Sequence, residues 1–143
     1  MNPVSQVFEY RYPSRADWPL LSLRIPVVEI AERFGLSVEK WEEDGLGQAT
    51  GLFIRLPSGR IVLLRELQHA REYHGEEGPT VHVGAGELGS LGVEPLVAEI
   101  LEGLDMTSDL VKWVVSSDAR QQAADLAASA RSYFDSLNRP GSA

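Results

Sequence analysis

The sequence predicts an α+β domain, with a mostly antiparallel sheet of about five or six strands packed against three helices. Three observations point there. The stretch LFIRL-PSG-RIVLLR spells two strands around a tight turn, in which Pro57 presets φ and Gly59 accepts a positive one. Two segments, 26–34 and 95–104, repeat their apolar residues at the helical period. The resulting order is β-α-β-β-β-β-α-β-α, with hairpin-linked strands in the middle.

Taken in order, Val7 to Tyr12 reads as a first strand, because Phe8, Tyr10 and Tyr12 alternate with Glu9 and Arg11. Pro13 to Pro19 reads as a connection, with Trp18 in it as a core anchor. Pro26 opens a helix whose Val27, Ile30, Ala31 and Phe34 share a face, and Gly35 ends it. Val38 to Trp41 is a short strand. The hairpin strands 52–56 and 60–65 are apolar at nearly every residue, which suits central positions. Gln68 to Gly78 is polar and reads as a loop, and Pro79 to Val83 as a strand. Pro95 opens a second helix that buries Leu96, Val97, Ile100, Leu101 and Leu104. Leu110 to Val115 is a last strand. Ser116, Ser117 and Asp118 offer an N-cap to a long helix that buries Ala123, Leu126, Ala127, Ala130, Phe134 and Leu137. Residues 1–138 form one domain, and 139–143 a frayed tail.

Composition narrows the function. The chain of 143 residues has no cysteine, which excludes disulfides, thiolate metal sites and a cysteine nucleophile. Its start, MNPVSQVFEYRYP, lacks the basic and apolar regions of a signal peptide, and no apolar run has the length of a membrane helix. A cytoplasmic location is expected. The net charge of −8 is unevenly spread. Residues 1–71 hold nine acids and nine bases, residues 112–143 three acids and four bases, and residues 72–111 nine acids with no Lys or Arg. Such a field repels nucleic acid and anionic lipid and attracts a basic protein.

Several motifs invite chemistry and lack its context. VHVGAGELG contains G-x-G-x-x-G after a strand, but a dinucleotide turn needs its helix to start within the motif. Here Pro95 delays the expected helix, and Glu87 puts a carboxylate where phosphates would lie, so the motif reads as a strand-to-helix connection. His69 and His74 are five apart, off the spacing of four that a two-His zinc helix uses, and His82 lies in a strand. There is no G-x-S-x-G elbow. The acids of WEEDG and GEEGP sit in polar turns, where nothing raises a carboxyl pKa for acid catalysis. Residues 28–37 imitate the first helix of a helix-turn-helix, but the place of a recognition helix holds Glu42, Glu43 and Asp44, which phosphates would repel. No catalytic residue, cofactor or metal ligand is expected.

The acidic segment gives the sharper expectation. Glu94, Glu102 and Asp105 fall on one stripe of the second helix, with Glu99 alongside, opposite its apolar face. Tyr73, His74, Glu76 and Glu77 precede it, and Trp41 stands beside Glu42, Glu43 and Asp44. Together these twelve residues are the candidate partner-binding surface, with carboxylates for steering and aromatics for contact area.

In GLFIRLPSGRIVLLREL, in GPTVHV leading to an acidic helix, and in SDLVKWV, the chain resembles the small acidic immunity proteins of bacterial polymorphic and contact-dependent toxin systems. The resemblance implies a non-enzymatic cytoplasmic protein that binds and blocks one cognate toxin domain, often a basic nuclease, without contacting nucleic acid or membrane itself. Two alternatives from other classes stand beside it. One is a small enzyme or ligand-binding domain with a pocket near His74, His82 and the 84–89 loop, which thermal shift against nucleotides and metals would expose. The other is an acidic adaptor subunit of a larger assembly.

Overall fold

The computed structural model describes residues 4–8, 17–43, 47–68 and 78–138, with side chains up to residue 129. Seven strands form one antiparallel sheet: β1 (Ser5–Val7), β2 (Asp17–Leu23), β3 (Glu39–Glu43), β4 (Gly47–Arg55), β5 (Ile61–Leu67), β6 (Thr80–Gly84) and β7 (Val111–Val114). Among the described residues, four helices accompany them: α1 (Val27–Arg33), α2 (Ala85–Leu91), α3 (Val93–Gly103) and α4 (Ala119–Asn138). None of the described helices is long and apolar enough to cross a membrane.

The hairpin strands are central, as their apolar runs require. The sheet runs β1-β4-β5-β6-β2-β7. β3 shares β4's outer edge with β1, pairing with Gly47–Gly51 while β1 pairs with Phe53–Arg55. The turn behaves as expected: Leu56 and Gly59 close it by backbone hydrogen bonds, with Gly59 at φ 97.

Cross-strand partners share a face of a sheet, so the register sorts the side chains. Leu52, Ile54, Val62, Leu64, Val81 and Val83 point one way, into a single core with Leu21, Val27 and Ile30 of α1, Leu88 of α2, Leu96 and Ile100 of α3, and Ala123 of α4. The other face carries Trp41, Glu43, Ala49, Gly51, Leu63, Arg65, His82 and Asp17. None of these belongs to the buried core shared with the helices.

Several elements depart from expectation. The first strand is Ser5–Val7 rather than Val7 to Tyr12, and Phe8 is exposed; residues 9–16 lie outside those described. Trp18 and Pro19 belong to β2, not to a connection. A proline has no N–H to donate to a neighbouring strand, and the ladder to β6 shifts register between Pro19 and Leu21. The third strand runs to Glu43, two residues beyond Trp41, and the last is shorter than Leu110 to Val115 because 108–110 form a 3₁₀ turn. On α4, Leu126 faces solvent, whereas Ala123 is buried and Ala127 partly so. Ala130, Phe134 and Leu137 lie beyond the described side chains. The loop expected at 68–78 falls mostly outside the described residues.

The largest correction concerns the glycine motif. It is no flexible connection: α2 begins at Ala85, inside it. Gly89 faces α4 so closely that a Cβ there would lie 2.7 Å from Ala124 Cα. Glycine costs a helix about 1 kcal/mol relative to alanine, and here that cost is offset by letting two helices approach.

Candidate functional site

Gly92, at φ 86, turns the chain from α2 into α3. Pro95 therefore sits in the first turn of α3 rather than opening it, where its missing N–H has no intrahelical partner to lose. Val93, Leu96, Ile100 and Leu104 are buried at helical spacing, and Glu94, Ala98, Glu102 and Asp105 are exposed on the opposite side. Glu94 and Glu102 thus keep the exposed side of the helix, whereas Asp105, expected on the same stripe, lies past the helix end at φ 53. Among the described residues, none of these three carboxylates takes part in an ion pair.

Two other acids of the segment are engaged. Arg60, from the hairpin turn, donates Nε to Glu99 and Nη1 to Glu87. Burial works against the guanidinium charge, but the hydrogen bond from Arg60 to Glu99 and the charge of Glu87 outweigh it and hold the Arg60 pKa above its ordinary value. Glu99 is therefore half-buried and clamped rather than facing water. Glu87 also accepts the Gly84 N–H at 3.3 Å, so the start of α2 is capped by its own carboxylate. A pyrophosphate at this helix start would meet that carboxylate.

The end of α3 is unusual for a helix. Met106 N–H bonds Leu101 C=O at 2.9 Å and Asp105 N–H bonds Glu102 C=O at 3.1 Å, the two bonds of a Schellman stop. α1 ends with the same pair of bonds, Leu36 to Ala31 and Gly35 to Glu32. The left-handed position is Gly35 in α1, at φ 67, and Asp105 in α3, at φ 53. No basic residue lies in the last turn of α3. Glu102 and Asp105 thus set negative charge on the negative end of the helix dipole, at a cost of about 0.3–1 kcal/mol each. Asp105→Gly is expected to stabilise the fold by roughly 0.5–1 kcal/mol, from relief of the left-handed strain and the repulsion together. A denaturant midpoint that fails to rise would contradict this.

The remaining expected residues do not join α3. Trp41 Nε1 donates to Glu43 Oε1 at 2.8 Å, and Arg65 reaches the same oxygen at 3.3 Å across Ala49 and Gly51. Both side chains lie on the sheet face opposite α3, and Glu43 is neutralised there. Glu42 is exposed on the other face. Asp44, Tyr73, His74, Glu76 and Glu77 lie outside the described residues. The twelve-residue surface therefore reduces, among those described, to Glu94, Glu102 and Asp105 with Glu99 at their flank. Arg60 is the functional neighbour that sequence reasoning missed; it lies 27 and 39 residues from its two partners.

His82 is 4% exposed and its Nδ1 lies 3.0 Å from Asp17 Oδ2. Beyond Gly84 the segment beside it is helical and packs on α4 at Gly89, and a groove found among the described residues is elsewhere, beside α1. The hydrogen bond from His82 holds the Asp17 carboxyl below its ordinary value; partial burial opposes this and the His82 charge adds to it. The folded pKa is thus lower than the unfolded one. The pair contributes stability above the unfolded value of about 3.9, and loses it as pH falls through the lowered folded value. Asp17→Asn is expected to lower Tm at pH 7, by a deficit that is smaller at pH 3. An equal deficit at both pH values would show that the titration of Asp17 has no part in it.

Comparison with protein-family models, with curated proteins and with solved structures finds no match.

Proposed function

We propose that this chain is a non-catalytic binding protein that docks one basic protein against the exposed side of α3, acting in the cytoplasm as an immunity-type inhibitor of a toxin domain. One observation carries the reading. Glu102 and Asp105 stand where a helix favours lysine or glycine, and Glu94 is exposed in the first turn of the same helix. That Glu102 and Asp105 cost stability and are exposed, with no ion-pair partner among the described residues, supports a return outside the fold. Docking a cation-lined surface would remove the repulsion at the end of α3 and supply the missing counter-charge. Arg60 contributes by holding Glu99 at the flank, which fixes its position at the edge of the patch.

The partner's chemistry follows from the patch. Lys or Arg side chains would face α3, in a cleft that itself handles a polyanion, which is why a nuclease domain fits. The direct test is a binding titration against the protein encoded by the neighbouring open reading frame, measured by calorimetry and stopped-flow at several salt concentrations. Steered association through this patch gives an on-rate that falls steeply as salt rises. A tight complex whose on-rate is indifferent to salt would place the interface elsewhere.

A further inference from the structure

α3 reaches the Leu56 end of β4, where Gly103 packs on the leucine side chain. Toward the other end of the same face, around Thr50, lies a groove of about 800 Å3 between the start of α1 and strands β3, β4 and β5. That is the size of small-molecule sites. One wall is apolar, formed by Pro26, Val27, Val28 and Val38. The other carries Lys40, Gln48, Thr50, Glu66 and Gln68.

The polar wall is ordered by the sheet. Lys40 pairs with Thr50, and Thr50 with Glu66, so the three occupy one cross-strand row. With strands about 4.8 Å apart, the Cα atoms of Lys40 and Glu66 are separated by roughly 10 Å. Glu66 is 8% exposed. Its carboxylate accepts the Val27 N–H at 3.0 Å and the Gly78 N–H at 3.4 Å, which fixes it and leaves lone pairs for another donor. Lys40 is exposed at the far end of the row. Among the described residues, neither belongs to an ion pair.

A fixed negative pole, a movable positive pole, a hydroxyl and amides around them, and a valine wall opposite define a ligand class. A simple anion would meet Glu66. A simple cation would leave Lys40 unused and face its repulsion. A neutral apolar molecule would desolvate both charges without return. We propose that the groove binds a small zwitterion with an apolar side chain, namely an apolar α-amino acid. Its ammonium group sits on Glu66, its carboxylate on Lys40 and Thr50, and its side chain against Val27, Val28 and Val38. This site is independent of the α3 surface.

The test is calorimetric titration of the intact 143-residue chain with L-leucine, and in parallel with N-acetyl-L-leucine and L-leucinamide. Leucine is expected to bind saturably at one site, and each capped analogue at least about 10-fold more weakly, since each loses one charge-assisted hydrogen bond. Lys40→Met removes an exposed side chain and leaves the fold intact by circular dichroism. It is expected to weaken leucine by a similar factor and to leave leucinamide unchanged. Glu66→Gln keeps an acceptor for the Val27 N–H and is expected to abolish the preference for a free ammonium. Absence of saturable binding by leucine, isoleucine, valine and phenylalanine overturns the assignment. So does equal binding of the capped analogues, or an unchanged leucine affinity in Lys40→Met.

Discussion

Gly89→Leu is expected to destabilise the fold by roughly 3 kcal/mol, while Gly86→Ala in the same helix is expected to stabilise it by up to about 1 kcal/mol. The contrast comes from what each position faces. A Cβ at Gly89 would lie 2.7 Å from Ala124 Cα and 2.8 Å from its Cβ, so backbone must move before any side chain can be placed. A Cβ at Gly86 would meet only Ala127 Cβ at 3.9 Å, an ordinary contact, and would lower the backbone entropy lost on forming α2. Since α2 lies between the sheet core and α4, a larger residue at 89 pushes α4 outward and opens the packing around Ala123. At roughly 3–5 °C per kcal/mol for a chain of this size, Gly89→Leu lowers Tm by about 10 °C. Paired thermal melts decide the matter: two variants of equal stability would mean that the helices are not in close contact at Gly89.

The second large effect is on association. Reversing Glu94 and Glu102 together to lysine is expected to weaken the proposed complex with a basic protein by about 10–100-fold, mainly through a slower on-rate. The fold should barely change, for a reason written into the helix. Lysine at Glu94 opposes the positive end of the α3 dipole and costs about 0.3–1 kcal/mol, whereas lysine at Glu102 suits its negative end and returns a similar amount. The single variants should therefore shift Tm in opposite directions and the affinity in the same direction. A double variant that binds as tightly as the parent removes α3 from the interface. An affinity loss confined to variants with lowered Tm would mean that the fold, and not the surface, was being measured.

How far these features could be read in advance depended on how local their causes are. The turn at Pro57 and Gly59, the start of α1 at Pro26 and its stop at Gly35 are set by residues within one turn of chain, and each was legible. The exposed stripe of α3 was legible because a period of 3.6 suffices to place it. β2 was not, because Pro19 signals a break and only the neighbouring strands β6 and β7 make a bulged strand favourable there. α2 was hidden for a related reason: Gly86 and Gly89 argue against a helix until the small residues Ala124 and Ala127 of α4, over thirty positions later, are brought against them. The pairing of Glu87 and Glu99 with Arg60 depends on the hairpin turn meeting the α2–α3 corner, which no spacing records. Glu66 did leave a trace. It falls in the same alternation as Val62 and Leu64, which puts a carboxylate on the inward register of β5, though the strand read from the sequence stopped at residue 65.

The strand order has a consequence for synthesis. β2 lies between β6 and β7, so Leu20, Leu21 and Leu23 acquire their last neighbour only when Val111–Val114 has been made. Translation at about 5–20 residues per second leaves those leucines waiting for on the order of 5–20 s on the ribosome. A nascent chain stalled anywhere before β7 should stay sensitive to protease and be held by chaperones, and resistance should arrive abruptly once that strand clears the exit tunnel.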